Sequence, residues 1–350
     1  MHQLTYGDIE AATERIAGRI RPVTLVPVDP GAVPTYRDPL DDREPEPCEV
    51  WLALEYMQHT GSFKARGAQN FIQAHRDAGT LPDAGVTIAS GGNAGLACAW
   101  AAQQQGITAT VFLPTTAPPV KVAKLRGYGA DVRLVGAEYA EALAACADFA
   151  TESGALASHA YDHPLIAAGA GTLLEEIHRQ IPGLDTVVVA VGGGGLFTGV
   201  ATAARHHGIR TVAVEPENCR ALNAAIEAGH LVDVTVDSIA ADSLGARRTS
   251  QMALHAARQD GVHSVLVPDT EIVRARQTLW DDRKVVVEHG TAAALAALTS
   301  PAGQLPDRDL LPRPAAPSHG YRPGNGGKVA VVLCGANTDP ADLVHRPGEH

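Results

Sequence analysis

The chain has 350 residues, 45% of them hydrophobic and 19% charged, and a formal net charge of −11 at pH 7. That length accommodates two domains or one large α/β unit, and that balance gives a packed globule, not disorder. The negative charge, with no basic tract to offset it, argues against a nucleic-acid partner and against an anionic membrane surface.

The opening segment, MHQLTYGDIEAATERIAGRI, has no apolar export core, and no run in the chain is long enough to span a bilayer. Ile9, Ala12, Ile16 and Ile20 fall near helical spacing, so an amphipathic helix is expected with Asp8 as its cap. The five cysteines, at 48, 98, 146, 219 and 334, lie far apart without a CxxC pair. They fit a reducing cytosol better than a disulfide framework or a zinc site, so a cytoplasmic protein is expected.

HTGSFKARG (59–67) sets Lys64 in a compact turn beside Phe63. A lone lysine is usually a solvated charge, but one kept neutral in a low-dielectric pocket forms Schiff bases with carbonyl compounds. Next comes TIASGGNAGLACAWAAQQQG, in which Ser90, Gly91, Gly92 and Asn93 separate a strand from a small-residue helix. Exposed amides and the Asn93 side chain there suit a carboxylate and a ring hydroxyl; the alternative is that Ser90 or Asn93 merely caps the helix.

ITATVFLP and DVRLVG then read as buried strands, and VKVAKLRGYG and EYAEALAACADFATESG as helices ending near glycine. Tyr161, Asp162 and His163 precede Pro164 in a turn able to line a site, with His163 read as structural, and LLEEIHRQIPG is helical. In TVVVAVGGGGLFTGVATAAR a strand ends at Val191, Gly192 to Gly195 follow, and a helix begins near Leu196. Bare amides at a helix start attract phosphate. A dinucleotide turn is the rival: its glycine spacing is not met, but Glu215, at the end of the strand RTVAVEP, keeps it open. The Pro- and Gly-rich stretch 301–327 reads as an irregular loop before the last strand, KVAVVLCG, which delivers Cys334 to the carboxyl edge of the sheet. Strands alternating with helices imply an α/β fold around a mostly parallel sheet.

Taken in order, these features resemble the fold-type II pyridoxal-phosphate enzymes (tryptophan synthase β-like), and most of all the threonine/serine dehydratases. LEYMQHTGSFKARGA, ASGGNAG, VGGGGL, YDHPLIAAGAGTLLEEI and KVVVEHGTAAALAAL carry the likeness, which runs from about residue 5 to about residue 340 apart from the Pro-rich insertion. The resemblance implies two open twisted α/β domains with the cofactor in the cleft between them. The small one would span 54–156, the large one 1–53 and 157–350, and no regulatory domain would follow. Pyridoxal phosphate would sit on Lys64 as a Schiff base, and Lys64 would serve as the base at Cα. Phe63 would pack near the ring, Asn93 would bond the ring hydroxyl, and Cys334 would face the pyridine nitrogen. Gly192, Gly193, Gly194, Gly195 and Leu196 would bind the phosphate. Ser90 and the amides of Gly91, Gly92, Asn93 and Ala94 would take the substrate carboxylate. Glu288 would lie near the ring or act as an ordinary helix-start acid.

The implied reaction is β-elimination of serine, threonine or a related 3-hydroxy amino acid to a 2-keto acid and ammonia, in a homodimer. Three departures from the family pattern bear on this. Gly91 replaces a second serine or an aspartate, so the opposite-face acid would be missing, which counts against racemisation. Ser243 stands where relatives have glycine, making a narrower and more polar pocket wall. Ala221 stands where metal-dependent relatives present an acid, so no metal is expected beside Glu215. The alternatives are β-replacement as in cysteine synthases, a nicotinamide-dependent oxidoreductase using the 192–195 turn, and a silent relative.

Overall fold

The computed structural model describes residues 3–33, 46–299 and 318–344. Its first helix, Tyr6–Ile16, is capped by Thr5 and not by Asp8. Thr5 Oγ1 accepts from the Asp8 amide at 3.3 Å while the Asp8 carboxylate accepts from the Thr5 amide at 2.8 Å, a reciprocal box with the acid at its third position. Ile9, Ala12 and Ile16 are buried as the spacing predicts, but the helix ends before Ile20, and the chain turns through Gly18 at a φ of +70°.

Eleven strands follow among the described residues: β1 (Leu25–Pro27), β2 (Glu49–Ala53), β3 (Val86–Ile88), β4 (Ala109–Leu113), β5 (Asp131–Leu134), β6 (Leu156–Ala157), β7 (Thr186–Ala190), β8 (Arg210–Pro216), β9 (Val262–Val267), β10 (Ser318–His319) and β11 (Lys328–Val332). They form two sheets. The larger has the order β1-β2-β11-β7-β8-β9-β10, and the smaller the order β5-β4-β3-β6. Only β1, antiparallel to β2, breaks an otherwise parallel arrangement. Of the stretch 301–327, residues 301–317 lie outside the described residues, while Ser318 and His319 pair with Val265 and Leu266.

Strands buried on both faces read as unbroken apolar runs, and alternate side chains feed different cores. In β7, Val187 and Val189 enter one core while Val188 and Ala190 enter another. Ala330 and Val332 of β11 join the first core, and Val329 and Val331 the second. The first core takes in the helices Pro164–Gln180 and Gly195–His206, and the second the helices Asp269–Arg283 and His289–Thr299. A third, built from Val86, Ile88, Val111 and Leu113, packs the smaller sheet on Lys64–Asp77 and Asn93–Gln104.

Candidate active site

The segment before Lys64 is two 3₁₀ turns, Glu55–Met57 and His59–Gly61, laid along the end of β11. The Tyr56 amide donates to Leu333 O at 2.8 Å, Phe63 N to Cys334 O at 2.9 Å, and Ala336 N to Gly61 O at 3.0 Å. Lys64 therefore opens its helix beside the carboxyl edge of the larger sheet. Its Nζ donates to Ala160 O at 2.7 Å and stands 4.7 Å from the centre of the Phe63 ring. Burial pulls the amine down to about 8, against the opposing pull of Cys334 and Glu288.

Two residues on, Arg66 is fully buried and anchors this helix start. Its guanidinium meets Glu55 at 2.6 and 3.0 Å and Glu176 at 2.7 and 3.1 Å, with Thr172 Oγ1 at 3.2 Å. Burial pushes the Glu55 carboxyl up and the guanidinium pulls it down; an arginine between two carboxylates stays charged.

Asn93 opens the helix Asn93–Gln104, yet neither it nor Ser90 caps it through a side chain; Gly92 is the cap residue. The capping alternative is thus set aside. Asn93 Nδ2 donates instead to both oxygens of Glu288, at 2.9 and 3.1 Å, and Asn93 Oδ1 accepts from Asn337 Nδ2 at 2.7 Å. Glu288 is 7% exposed, and burial pushes its carboxyl up. Its main-chain carbonyl also accepts from Thr291 and Ala292 at 3.0 and 3.1 Å. It directly precedes the helix His289–Thr299, and its charge acts on the Lys64 amine. Cys334 sits 3.3 Å from Thr291 Oγ1, and burial pushes its thiol up to about 12, so it stays neutral.

At the tetraglycine turn, β7 ends at Ala190 and the helix begins at Gly195. Among the described residues no acceptor meets the amides of Gly192, Gly193, Gly194, Gly195 or Leu196. Gly194 has a φ of +98°, and a Cβ on Gly193 would stand 2.2 Å from the Tyr161 ring. Leu244 lies against Gly192, and the preceding Ser243 puts its hydroxyl where a side chain on Gly290 would go. Gly91 faces Leu113, whose Cδ2 would be 2.9 Å from a Cβ there, while Ser90, Gly91, Gly92 and Ala94 are partly buried.

The turn 159–163 joins these two groups: Ala160 holds Lys64, Tyr161 packs on Gly193, and Tyr161 Oη donates to Arg248 O at 3.1 Å. His159 Nδ1 accepts from the amides of Tyr161 and Asp162 at 3.2 and 2.8 Å. His163 caps the helix Pro164–Gln180 by accepting from Leu165 N at 3.1 Å. Lys64, Phe63, Asn93, Glu288 and Cys334 thus form one cluster, and the glycine turn joins it through residues 160 and 161. Sequence reasoning missed Asn337, Thr291 and His159. A polar residue three positions past the strand-end Cys334 is the one signal that marked Asn337.

Glu215 does not serve the glycine turn. Both its oxygens accept from amides, Leu222 at 2.7 Å and Asn223 at 2.8 Å, and burial pushes its carboxyl up to about 8. The acid a dinucleotide site needs is spent on capping the helix Ala221–Ala228. A depressed lysine beside bare helix-start amides suits a phosphorylated aldehyde, and a neutral thiol suits a weakly basic ring nitrogen.

Residues 34–311 match the family described as pyridoxal-phosphate dependent enzyme. The chain is 38% identical over 294 residues to the serine dehydratase-like protein of Homo sapiens, covering 82% of this chain and 85% of that one. It is 34% identical over 297 residues to the L-threonine ammonia-lyase of Geobacter sulfurreducens, covering 84% and 71% respectively. Among solved structures, maize serine racemase superposes with a TM-score of 0.80 at 26% identity, covering 98% of this chain and 96% of that chain.

Proposed function

The chain belongs to the pyridoxal-phosphate dependent enzyme family, and we propose that it is an ammonia-lyase acting on L-serine, L-threonine or a related 3-hydroxy amino acid. The products are a 2-keto acid and ammonia. One observation carries the assignment of the reactive group: Lys64, drawn down to about 8 by burial, held against the Ala160 carbonyl.

Pyridoxal phosphate is the cofactor and, when bound, supplies the electron sink for the bond broken at Cα. Lys64 would hold it covalently and, once the substrate amine has taken over that bond, its freed amine, drawn down to about 8 by burial, would take the Cα proton. The free amides of Gly192 to Leu196 would hold the phosphate. Asn93 would orient the ring through its amide and Phe63 would pack beside it, while Glu288 holds the Asn93 amide in place. The Cys334 thiol, neutral because it is buried, would stand at the ring nitrogen as a group that does not give up its proton. Ser90 and the amides of Gly91, Gly92, Asn93 and Ala94 take the substrate carboxylate, and Ser243 forms part of the wall. Residues 54–156 act as a smaller unit that closes on the rest of the chain and shuts out water. The protein works as a cytoplasmic homodimer.

The test is a panel of serine, threonine and bulkier 3-hydroxy amino acids, scored for keto acid and ammonia with and without sulfide. Keto acid from at least one, and a loss of about 10³-fold or more in Lys64→Ala, is expected. A sulfur-containing replacement product with no keto acid would overturn elimination.

A further inference from the structure

Asn337 lies on no strand or helix, three residues past the last strand-end cysteine, and it ties three segments together. Its Nδ2 donates to Thr60 O at 2.7 Å and to Asn93 Oδ1 at 2.7 Å, while its amide donates to Glu288 Oε1 at 2.8 Å. The direction of this chain of bonds is set at one end by the Thr60 main-chain carbonyl, which cannot flip, and at the other by the Glu288 carboxylate. Thr60 C=O only accepts, so the atom facing it must be Nδ2. Asn93 must then turn Oδ1 to Asn337, which sends its own Nδ2 to the Glu288 carboxylate. Thr60 itself is held at a φ of 62°, a conformation a β-branched residue rarely adopts. The turn that leads into Lys64 is therefore strained in just the place where Asn337 grips it.

One Nδ2 hydrogen of Asn93 is shared between the two Glu288 oxygens, which leaves the other unused; we propose that Asn337 is a positioning residue that locks the polarity of the Asn93 amide, so that Asn93 meets its ligand with that second hydrogen, as a donor and not as an acceptor. The inference rests on the assignment of Asn93 to the cofactor ring made above. A donor stabilises the ring oxygen in its anionic form and leaves the proton with the nitrogen of the lysine adduct; an acceptor would favour the protonated ring oxygen. Asn337 touches neither cofactor nor substrate in this scheme; it also holds Thr60 and Glu288, but its effect on the ring runs through Asn93.

The experiment is a double-variant cycle on the loaded enzyme. It reads the ratio of the visible to the near-ultraviolet absorption band of the bound cofactor, and cofactor Kd by fluorescence. Asn337→Ala in the wild-type background is expected to shift the band ratio and weaken Kd about tenfold, the scale of one misdirected hydrogen bond to a charged group. In an Asn93→Ala background the same change should do nothing further. Asn337→Asp, equal in size but unable to donate, is the second variant and should shift the ratio in the same direction even if the alanine variant misfolds. An unchanged ratio in a folded Asn337 variant, or an equal shift in both backgrounds, overturns the inference. A wild-type protein that forms no borohydride-reducible adduct with pyridoxal phosphate overturns the cofactor assignment for Asn93 as well.

Discussion

Replacing Lys64 with methionine should abolish activity and yet stabilise the cofactor-free protein. The amine is drawn from the ordinary lysine value of 10.5 to about 8 by burial. At about 1.4 kcal/mol per pKa unit, charging it in the folded state costs about 3 kcal/mol. Methionine has a similar length and no charge, but it forfeits the bond to Ala160, worth about 1 kcal/mol. A net gain of about 2 kcal/mol near neutral pH is left. The pH dependence follows from linkage. Below about 8 both folded and unfolded lysine are protonated, and the wild type carries the full penalty. Between about 8 and 10.5 the folded protein releases its proton while the unfolded chain keeps it, so wild-type stability rises with pH. Urea unfolding of both cofactor-free proteins near pH 7 and near pH 10 measures this. The variant should lead near pH 7 and lose its lead near pH 10. A variant no more stable than the wild type near pH 7, or parallel pH profiles, would refute a desolvated lysine.

Two other perturbations follow from the same geometry. Gly193→Ala puts a Cβ 2.2 Å from the Tyr161 ring and must displace the turn whose Ala160 carbonyl holds Lys64. Overpacking of about 1–3 kcal/mol corresponds to a cofactor Kd weakened about ten- to a hundredfold, read by fluorescence titration, with Tyr161→Ala restoring part of it. Arg66→Met strands the Glu55 and Glu176 carboxylates and should cost about 3–5 kcal/mol in urea unfolding. Adding Glu55→Gln should recover part of that loss, since it removes the carboxylate left buried and unpaired.

The fold was legible in the sequence wherever a run of apolar residues was long enough to be covered on both faces. KVAVVLCG and DTVVVAVG could be little else than central parallel strands, because every second valine needs a core of its own. Strands of two or three residues, such as β3, β6 and β10, carry too few side chains to show a period. The first helix illustrates a subtler limit: Thr5 and Asp8 form one reciprocal box, and the sequence does not say which of the two is the cap. Lys64, Asn93 and the glycine turn stood out because each is local, a residue type at a fixed offset in one turn. Arg66 and Asn337 did not: Glu55 lies 11 residues from Arg66, at no fixed offset of a turn or helix, and the more distant partners, Glu176 and Asn93, lie 110 and 244 residues away. A charge pair or amide pair at that separation leaves no pattern in one chain, and only folding reveals it. Glu215 misled for the opposite reason: its spacing from the glycines was right for a nucleotide site, but its oxygens point at the next helix.

The position of β11 has a bearing on how the protein comes to be made. This strand lies between β2 and β7, inside the larger sheet, although it comes after all the other described strands in the chain. Until residues 328–337 have left the ribosome, the turn leading into Lys64 has no edge to lie against, and Asn93 has no Asn337 to align it. Until then Lys64 lacks the surroundings that lower its amine and stays an ordinary solvated lysine. The non-local closure that slows folding also postpones the chemistry. The pocket that lowers the Lys64 amine is thus completed only by residues 328–337, far along the chain from the lysine itself.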